Sequence, residues 1–200
     1  MIGITGGIAS GKSVVSERLR HLGAVILDAD VFSRDAINPH TPGWHRVKEA
    51  FPSVIQSDLT VDRRLLGRIV FADAKRRKIL ESIIHPEVLR RLQAEAKIAR
   101  QEGKIVFADV PLLYEVGWER FMDQVWVVYV REDVQLKRLM ERSSISKEEA
   151  RQMVASQLSL EEKIKRATEV IDNNSSLEET WRQVDALWKE LESDSCIDRT

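Results

Sequence analysis

Apolar positions along this chain follow two alternating patterns. Short continuous runs occupy 1–5, 24–28 (Ala24-Val25-Ile26-Leu27-Asp28), 104–109, 124–130 and 168–172. Their length and β-branched content predict five strands. Between them lie longer stretches with apolar residues three or four apart, the spacing of one helix face. The alternation predicts an α/β fold with a doubly wound, five-stranded parallel sheet. The first helix should run from about Lys12 to Leu22 and stop at Gly23, a residue suited to a left-handed terminal position. From Asp30 to Gly103 no strong strand is evident. Helical spacing recurs there at Leu65, Leu66, Ile69 and Val70, then at Val88, Leu89, Leu92, Ala96, Ile98 and Ala99. This is a helical insertion far longer than an ordinary crossover of about a dozen residues. After the fourth strand a charged helical segment breaks at Ser143-Ser144. Leu177, Trp181, Val184, Leu187, Trp188 and Leu191 then predict a final helix packed back on the sheet. One domain, 1–200, is expected: a core of 1–30, 104–132 and 158–200, an insertion at 31–103 and a charged segment at 133–157.

Charge narrows the chemistry. Lys plus Arg number 31 and Asp plus Glu 32, so no uniform basic field is available for a nucleic acid backbone. The single cysteine, Cys196, excludes an intramolecular disulfide and a cysteine metal cluster, and is read as an exposed thiol in a reducing cytoplasm. No apolar run approaches the roughly 20 residues that span a bilayer. The expectation is a soluble, unprocessed cytoplasmic protein, monomeric, with no nucleic acid or membrane partner.

The strongest local signal is Gly6-Gly7-Ile8-Ala9-Ser10-Gly11-Lys12-Ser13, which satisfies G-x-x-x-x-G-K-[ST] between a strand and a helix. In that context successive backbone N–H groups form an anion nest and the helix N-terminus adds positive character. Lys12 is expected to reach the β- and γ-phosphates of a nucleotide, and the Ser13 hydroxyl to ligate Mg²⁺. Asp109 ends the third strand. It is a candidate for holding a Mg²⁺-bound water or orienting a substrate, or it is simply a strand-end cap.

The second strand ends in Asp28-Ala29-Asp30. Alternate residues of an extended chain point the same way, so both carboxylates are expected to face the crevice above the sheet. One of them is then placed to take the proton of an attacking hydroxyl, and Asp30 is the preferred base. The plain alternative makes Asp30 the N-cap of a helix starting at Val31.

Taken together, "GITGGIASGKS", "LDADVFSRD", "IIHPEV", "DVPLLYE" and "VIDNN", in this order, resemble the dephospho-coenzyme A kinase family over nearly the whole chain. The resemblance implies a P-loop kinase that moves the ATP γ-phosphate to the ribose 3′-hydroxyl of dephospho-CoA, with Mg²⁺, in the last step of CoA synthesis. It implies that Gly7, Ile8, Ala9, Ser10, Gly11, Lys12 and Ser13 hold ATP, that Asp30 is the base, and that 133–157 is a lid. Ala9 stands where the family commonly has glycine, which is tolerable if that position has negative φ.

Arg138 and Arg142 lie four apart on one helix face and resemble the family's lid arginines, Arg138 the better match. Asn173 and Asn174 are candidates for the adenine side, though Asn-Asn is equally a common turn. Pro86 is expected to open a helix, with His85 before it structural or substrate-binding rather than catalytic. Arg77, in the run Lys75-Arg76-Arg77-Lys78, is a candidate for the acceptor diphosphate, and Leu112 and Leu113 for the acceptor surface. Two other readings stay open. A nucleoside monophosphate kinase would share the loop and lid. A GTP-dependent switch would carry an Asn-Lys-x-Asp signature, and the sequence contains no Asn-Lys pair.

Overall fold

β1 (Ile2–Gly6) is buried along its whole length and runs parallel to β3 (Val106–Asp109) on one side and β4 (Gln124–Tyr129) on the other. β2 (Val25–Asp28) and β5 (Glu169–Asp172) complete the order β2-β3-β1-β4-β5. A strand paired on both sides and covered on both faces has no position for an exposed polar residue, which is why the chain opens on an uninterrupted apolar run. The reversal of strand order at β1 leaves a crevice beyond its carboxyl end. The computed structural model describes residues 1–197, with side chains through Ser193; the Cys196 expectation lies outside the described side chains.

On one face of the sheet, Val15 and Leu19 of α1 (Lys12–His21) and Val184 and Trp188 of α9 (Leu177–Ile197) pack against Ile2, Ile4, Phe107, Trp126 and Ile171. Phe107 and Trp126 meet edge to face with ring centroids 5.0 Å apart. Gly3 points to the other face. A Cβ there would lie 2.6 Å from Leu113 Cδ1, so the close approach requires glycine. The charged segment folds as α6 (Glu132–Ser143) and α7 (Lys147–Ala155), separated at Ser144, whose φ is +52°. Short α8 (Leu160–Lys165) precedes β5.

The chain divides into two compact units, and residues 28–98 form the second, whereas the sequence placed the insertion at 31–103. It contains α2 (Ala29–Asp35), α3 (Pro42–Ala50), α4 (Arg63–Ala72) and most of α5 (Ala74–Gln101). Its own core gathers Ile37, Trp44, Val47, Phe51, Val54, Val61, Leu66 and Ile83. Thr41 caps α3 by accepting from Trp44 N–H at 3.1 Å, and Asp62 caps α4 by accepting from Leu65 N–H at 2.9 Å.

Pro86 does not open a helix; it lies inside α5. Proline supplies no N–H for the carbonyl four residues back, Ser82. Arg46 from α3 donates to that carbonyl at 3.2 Å instead, so the helix continues through a position that normally ends one.

No helix among the described residues is long and apolar enough to cross a membrane.

Candidate active site

The loop after β1 turns tightly, with Ser10 N–H donating to the Gly7 carbonyl at 3.1 Å, and α1 starts at Lys12. Gly11 has φ +89°, and a Cβ there would collide with the Asn173 amide nitrogen, so glycine is required twice over. Ala9 also lies in the left-handed region, at φ +58°. The condition that made alanine innocuous there, a negative φ, is not met. A left-handed alanine is strained by roughly 1–2 kcal/mol.

Lys12 forms an ion pair with Asp109, whose other oxygen accepts from the Ser16 hydroxyl at 2.8 Å. Asp109 is 7 % exposed. A carboxylate so buried needs such partners, and it holds the Lys12 ammonium at the loop. Ser13 is exposed, one residue along. Lys12 and Asp109 are thus brought together at the carboxyl ends of adjacent β1 and β3, with Ser13 next to Lys12 in the first turn of α1.

The backbone of the loop is gripped from outside. Gln135 of α6 donates to the Ile8 carbonyl at 2.7 Å, and Gln157 accepts from Ile8 N–H at 2.9 Å. A Cβ on Gly7 would lie 2.5 Å from the Gln135 amide nitrogen. Asn173 donates to the Ser10 carbonyl at 2.8 Å and accepts from the Thr180 hydroxyl at 2.8 Å. Its amide is therefore spent in a buried strut beneath the loop. Asn174 likewise accepts from Arg131 N–H at 2.8 Å and donates to Asp172 at 2.7 Å. Arg138 donates to the Asn173 carbonyl at 3.0 Å, beside Gly11. Arg142, one turn further on, is exposed.

Asp30 is not a helix N-cap. Asp28 takes that place: it is the last extended residue, at φ −91° and ψ 111°, and its carboxylate accepts from Asp30 N–H at 2.8 Å and Val31 N–H at 3.0 Å. The chain passes from β2 straight into α2. The two carboxylates therefore do not share one face of an extended segment. Asp28 is engaged by backbone, while the exposed Asp30 stands in the first helical turn. Leu113 is fully buried against Gly3 and belongs to the core; Leu112 is 42 % exposed.

In the second unit, Arg77 is exposed on α5 with its Nε 3.9 Å from Glu81. His85 is half-buried, and burial holds its pKa below the ordinary value, with Glu81 pulling the other way. Sequence reasoning missed a groove on α4 lined by Arg63, Arg64, Gly67, Arg68, Phe71 and Ala72, with a volume of about 550 Å³. Phe71 is 94 % exposed. A large aromatic left in solvent among arginines was the available signal.

These features coincide with a family. The family model described as dephospho-CoA kinase matches residues 1–179. The chain belongs to the dephospho-CoA kinase family. It is 48 % identical to the dephospho-CoA kinase of Symbiobacterium thermophilum over 94 % of this chain and 80 % of that one, and 47 % identical to that of Geobacter metallireducens over 95 % and 96 %. The dephospho-CoA kinase structure from Campylobacter jejuni superposes with a TM-score of 0.75 at 28 % identity, covering 96 % of this chain and 97 % of its own. Protein TT1252 from Thermus thermophilus gives 0.81 at 40 % identity, covering 95 % and 96 %. Shikimate kinase from Aquifex aeolicus, at 15 % identity and a TM-score of 0.50 over 97 % of each chain, shares the fold. The chain is a P-loop phosphotransferase.

Proposed function

We propose that this enzyme transfers the γ-phosphoryl group of ATP to the ribose 3′-hydroxyl of dephospho-CoA, releasing CoA and ADP in the last step of CoA biosynthesis. The observation that supports it best is the loop of residues 7–13, built around Lys12, Ser13 and the buried Asp109, in a chain whose family match extends well past the loop.

Loop N–H groups and the α1 N-terminus bind the phosphates, and Lys12 shifts from Asp109 toward the β- and γ-phosphates. Ser13 and Asp109 offer hard oxygen donors of the kind Mg²⁺ takes, and no group of three or more acidic, His or Cys side chains suited to a metal occurs among the described residues. Ser13 and Asp109 would be the residues that hold the ion beside the phosphates. When bound, it neutralises charge on the β- and γ-oxygens. Asp30 takes the proton as the 3′-oxygen bonds to phosphorus and the bond to the ADP oxygen breaks. Arg138 follows the charge that spreads over the equatorial oxygens, with Arg142 joining on closure of 133–157. Asn173 and Asn174 frame the adenine side through backbone.

The acceptor carries a diphosphate and a long pantetheine arm. The α4 groove pairs cationic Arg64 and Arg68 with apolar Phe71, which suits both parts. Arg77 and His85 on the same unit serve the same acceptor, for which Leu112 is a separate candidate. The reading implies a monomer working in the cytoplasm on small soluble substrates.

The test is ATP-dependent phosphorylation of dephospho-CoA, adenosine, AMP, CMP and dTMP at equal concentration, with the product position fixed by NMR. Preference for dephospho-CoA and phosphate on the 3′-oxygen is expected. Preference for a monophosphate, or phosphate elsewhere, overturns the assignment.

A further inference from the structure

A lysine is almost never fully buried. Lys163 of α8 has no exposed side-chain surface, and no step described above uses it. Its ammonium lies 2.9 Å from Glu115 Oε1 and donates to the carbonyls of Gly6 at 3.2 Å and Pro111 at 3.4 Å. All three ammonium protons thus have acceptors, which a buried cation requires.

The positions of those acceptors carry the argument. Gly6 is the last residue of β1, and the loop leading to Lys12 begins immediately after it. Pro111 lies two residues beyond Asp109, where the chain leaves β3, and its carbonyl also accepts from Thr5 of β1 at 3.0 Å. Lys163 therefore joins the exits of the two strands that deliver the ion-paired Lys12 and Asp109. Glu115 extends the link, since the oxygen facing Lys163 also accepts from Leu158 N–H at 3.0 Å, next to Gln157, which holds Ile8. The following turn is fixed as well: Arg166 lies 4.4 Å from the Tyr114 ring centroid, and burial pushes the Tyr114 hydroxyl up to about 12.

We propose that Lys163, neutralised by Glu115, is a positioning residue for phosphoryl transfer, fixing the exits of β1 and β3 so that Lys12 and Asp109 meet the phosphates in register. This rests on the phosphotransferase reading of the loop. A displacement of about 1 Å in such a site is enough for a 10²-fold loss of rate. A bland reading makes the pair a fold-stabilising ion pair only. The two differ in what a double substitution does. Removing Glu115 alone leaves the buried Lys163 ammonium without its counter-charge, whereas replacing both with neutral groups is often tolerated; Glu115 itself reaches solvent, its side chain 22 % exposed.

Turnover, KM for each substrate and thermal midpoint are to be measured for Lys163→Met, Glu115→Gln and the double variant. The expected double variant melts nearer to the wild-type midpoint than Glu115→Gln does, yet keeps a tenfold or larger loss of kcat with KM for dephospho-CoA within about twofold of wild type. Wild-type kcat in the double variant overturns the proposal, as does a change confined to KM. If Lys163→Met and the double variant do not fold, Lys163→Gln, which keeps a donor, is assayed at a temperature where circular dichroism shows it folded. A tenfold or larger loss of kcat supports the proposal and unchanged kcat overturns it. If dephospho-CoA is no substrate of the wild type, the same comparison on bound ADP, read as loss of affinity, separates failure of the acceptor assignment from failure of this one.

Discussion

The phosphate loop and the helical insertion are held by opposite means. Around the loop, polar side chains grip individual backbone atoms: buried Gln135 and half-buried Gln157 at Ile8, buried Asn173 at Ser10 and Lys163 at Gly6. In the insertion the interior is an apolar cluster from Ile37 to Ile83, and polar bonds such as the Thr41 cap, Trp44 to the Leu59 carbonyl at 2.7 Å and Arg46 to Ser82 sit around it. A loop that must keep left-handed φ at Ala9 and Gly11 and aim its N–H groups at an anion needs directional bonds, because apolar packing does not orient a peptide. The surface proposed here for a long, flexible acceptor needs only a stable platform with cations and an exposed aromatic. The contrast predicts where substitution hurts chemistry and where it hurts affinity.

The largest effect is expected from Lys12→Ala, a loss of kcat on the order of 10³-fold, measured in a coupled ADP-release assay. Near-normal turnover would remove Lys12 from the loop's function. Asp30→Asn should follow, with kcat down by roughly 10²-fold or more while ATP binding and the circular dichroism spectrum stay unchanged. Unaltered turnover would reduce Asp30 to a first-turn acid of α2. Asn173→Ala strands the Ser10 carbonyl, while the Thr180 hydroxyl keeps the Ser176 carbonyl at 3.2 Å, and should lower stability by about 1–3 kcal/mol and raise KM for ATP; a change in stability alone would show that the strut does not reach the loop's function. Ala9→Gly relieves the positive φ and should raise stability by about 1 kcal/mol in denaturant melts. The smallest effect of this series is expected at His85. His85 has a lowered pKa in the folded protein, so below about pH 6.5 the unfolded chain binds the proton first and stability falls as pH drops toward the folded pKa. His85→Gln should flatten that part of the stability profile.

How far the sequence reveals this molecule follows from the same contrast. The five strands, the turn at Gly23 and the break at Ser144 were readable because apolar period and glycine or serine punctuation are local signals. That Lys12 opens a helix after β1 and Asp109 ends β3 was readable because the motif and the apolar runs place them. Lys163 was not, because "LEEKIK" reads as a solvated helix and only the chain's return beneath β1 buries it. Gln135 and Gln157 were hidden for the same reason, their partner being a peptide more than a hundred residues away. The shared orientation expected for Asp28 and Asp30 failed because the helix starts two residues earlier than Val31, with Asp28 as its N-cap, where strand and helix abut without a linker. Pro86 misled because its compensation comes from Arg46, distant in sequence.

The central claim is that loop and insertion divide the substrates between them. It is tested most directly by steady-state kinetics on an Arg64→Ala/Arg68→Ala variant, with ATP and dephospho-CoA each varied at saturating partner. The account predicts that KM for dephospho-CoA rises about tenfold or more while KM for ATP stays within about twofold of wild type, each lost charge-assisted bond weakening the acceptor alone. A rise in KM for ATP of the same size, or no change in KM for dephospho-CoA, would contradict it.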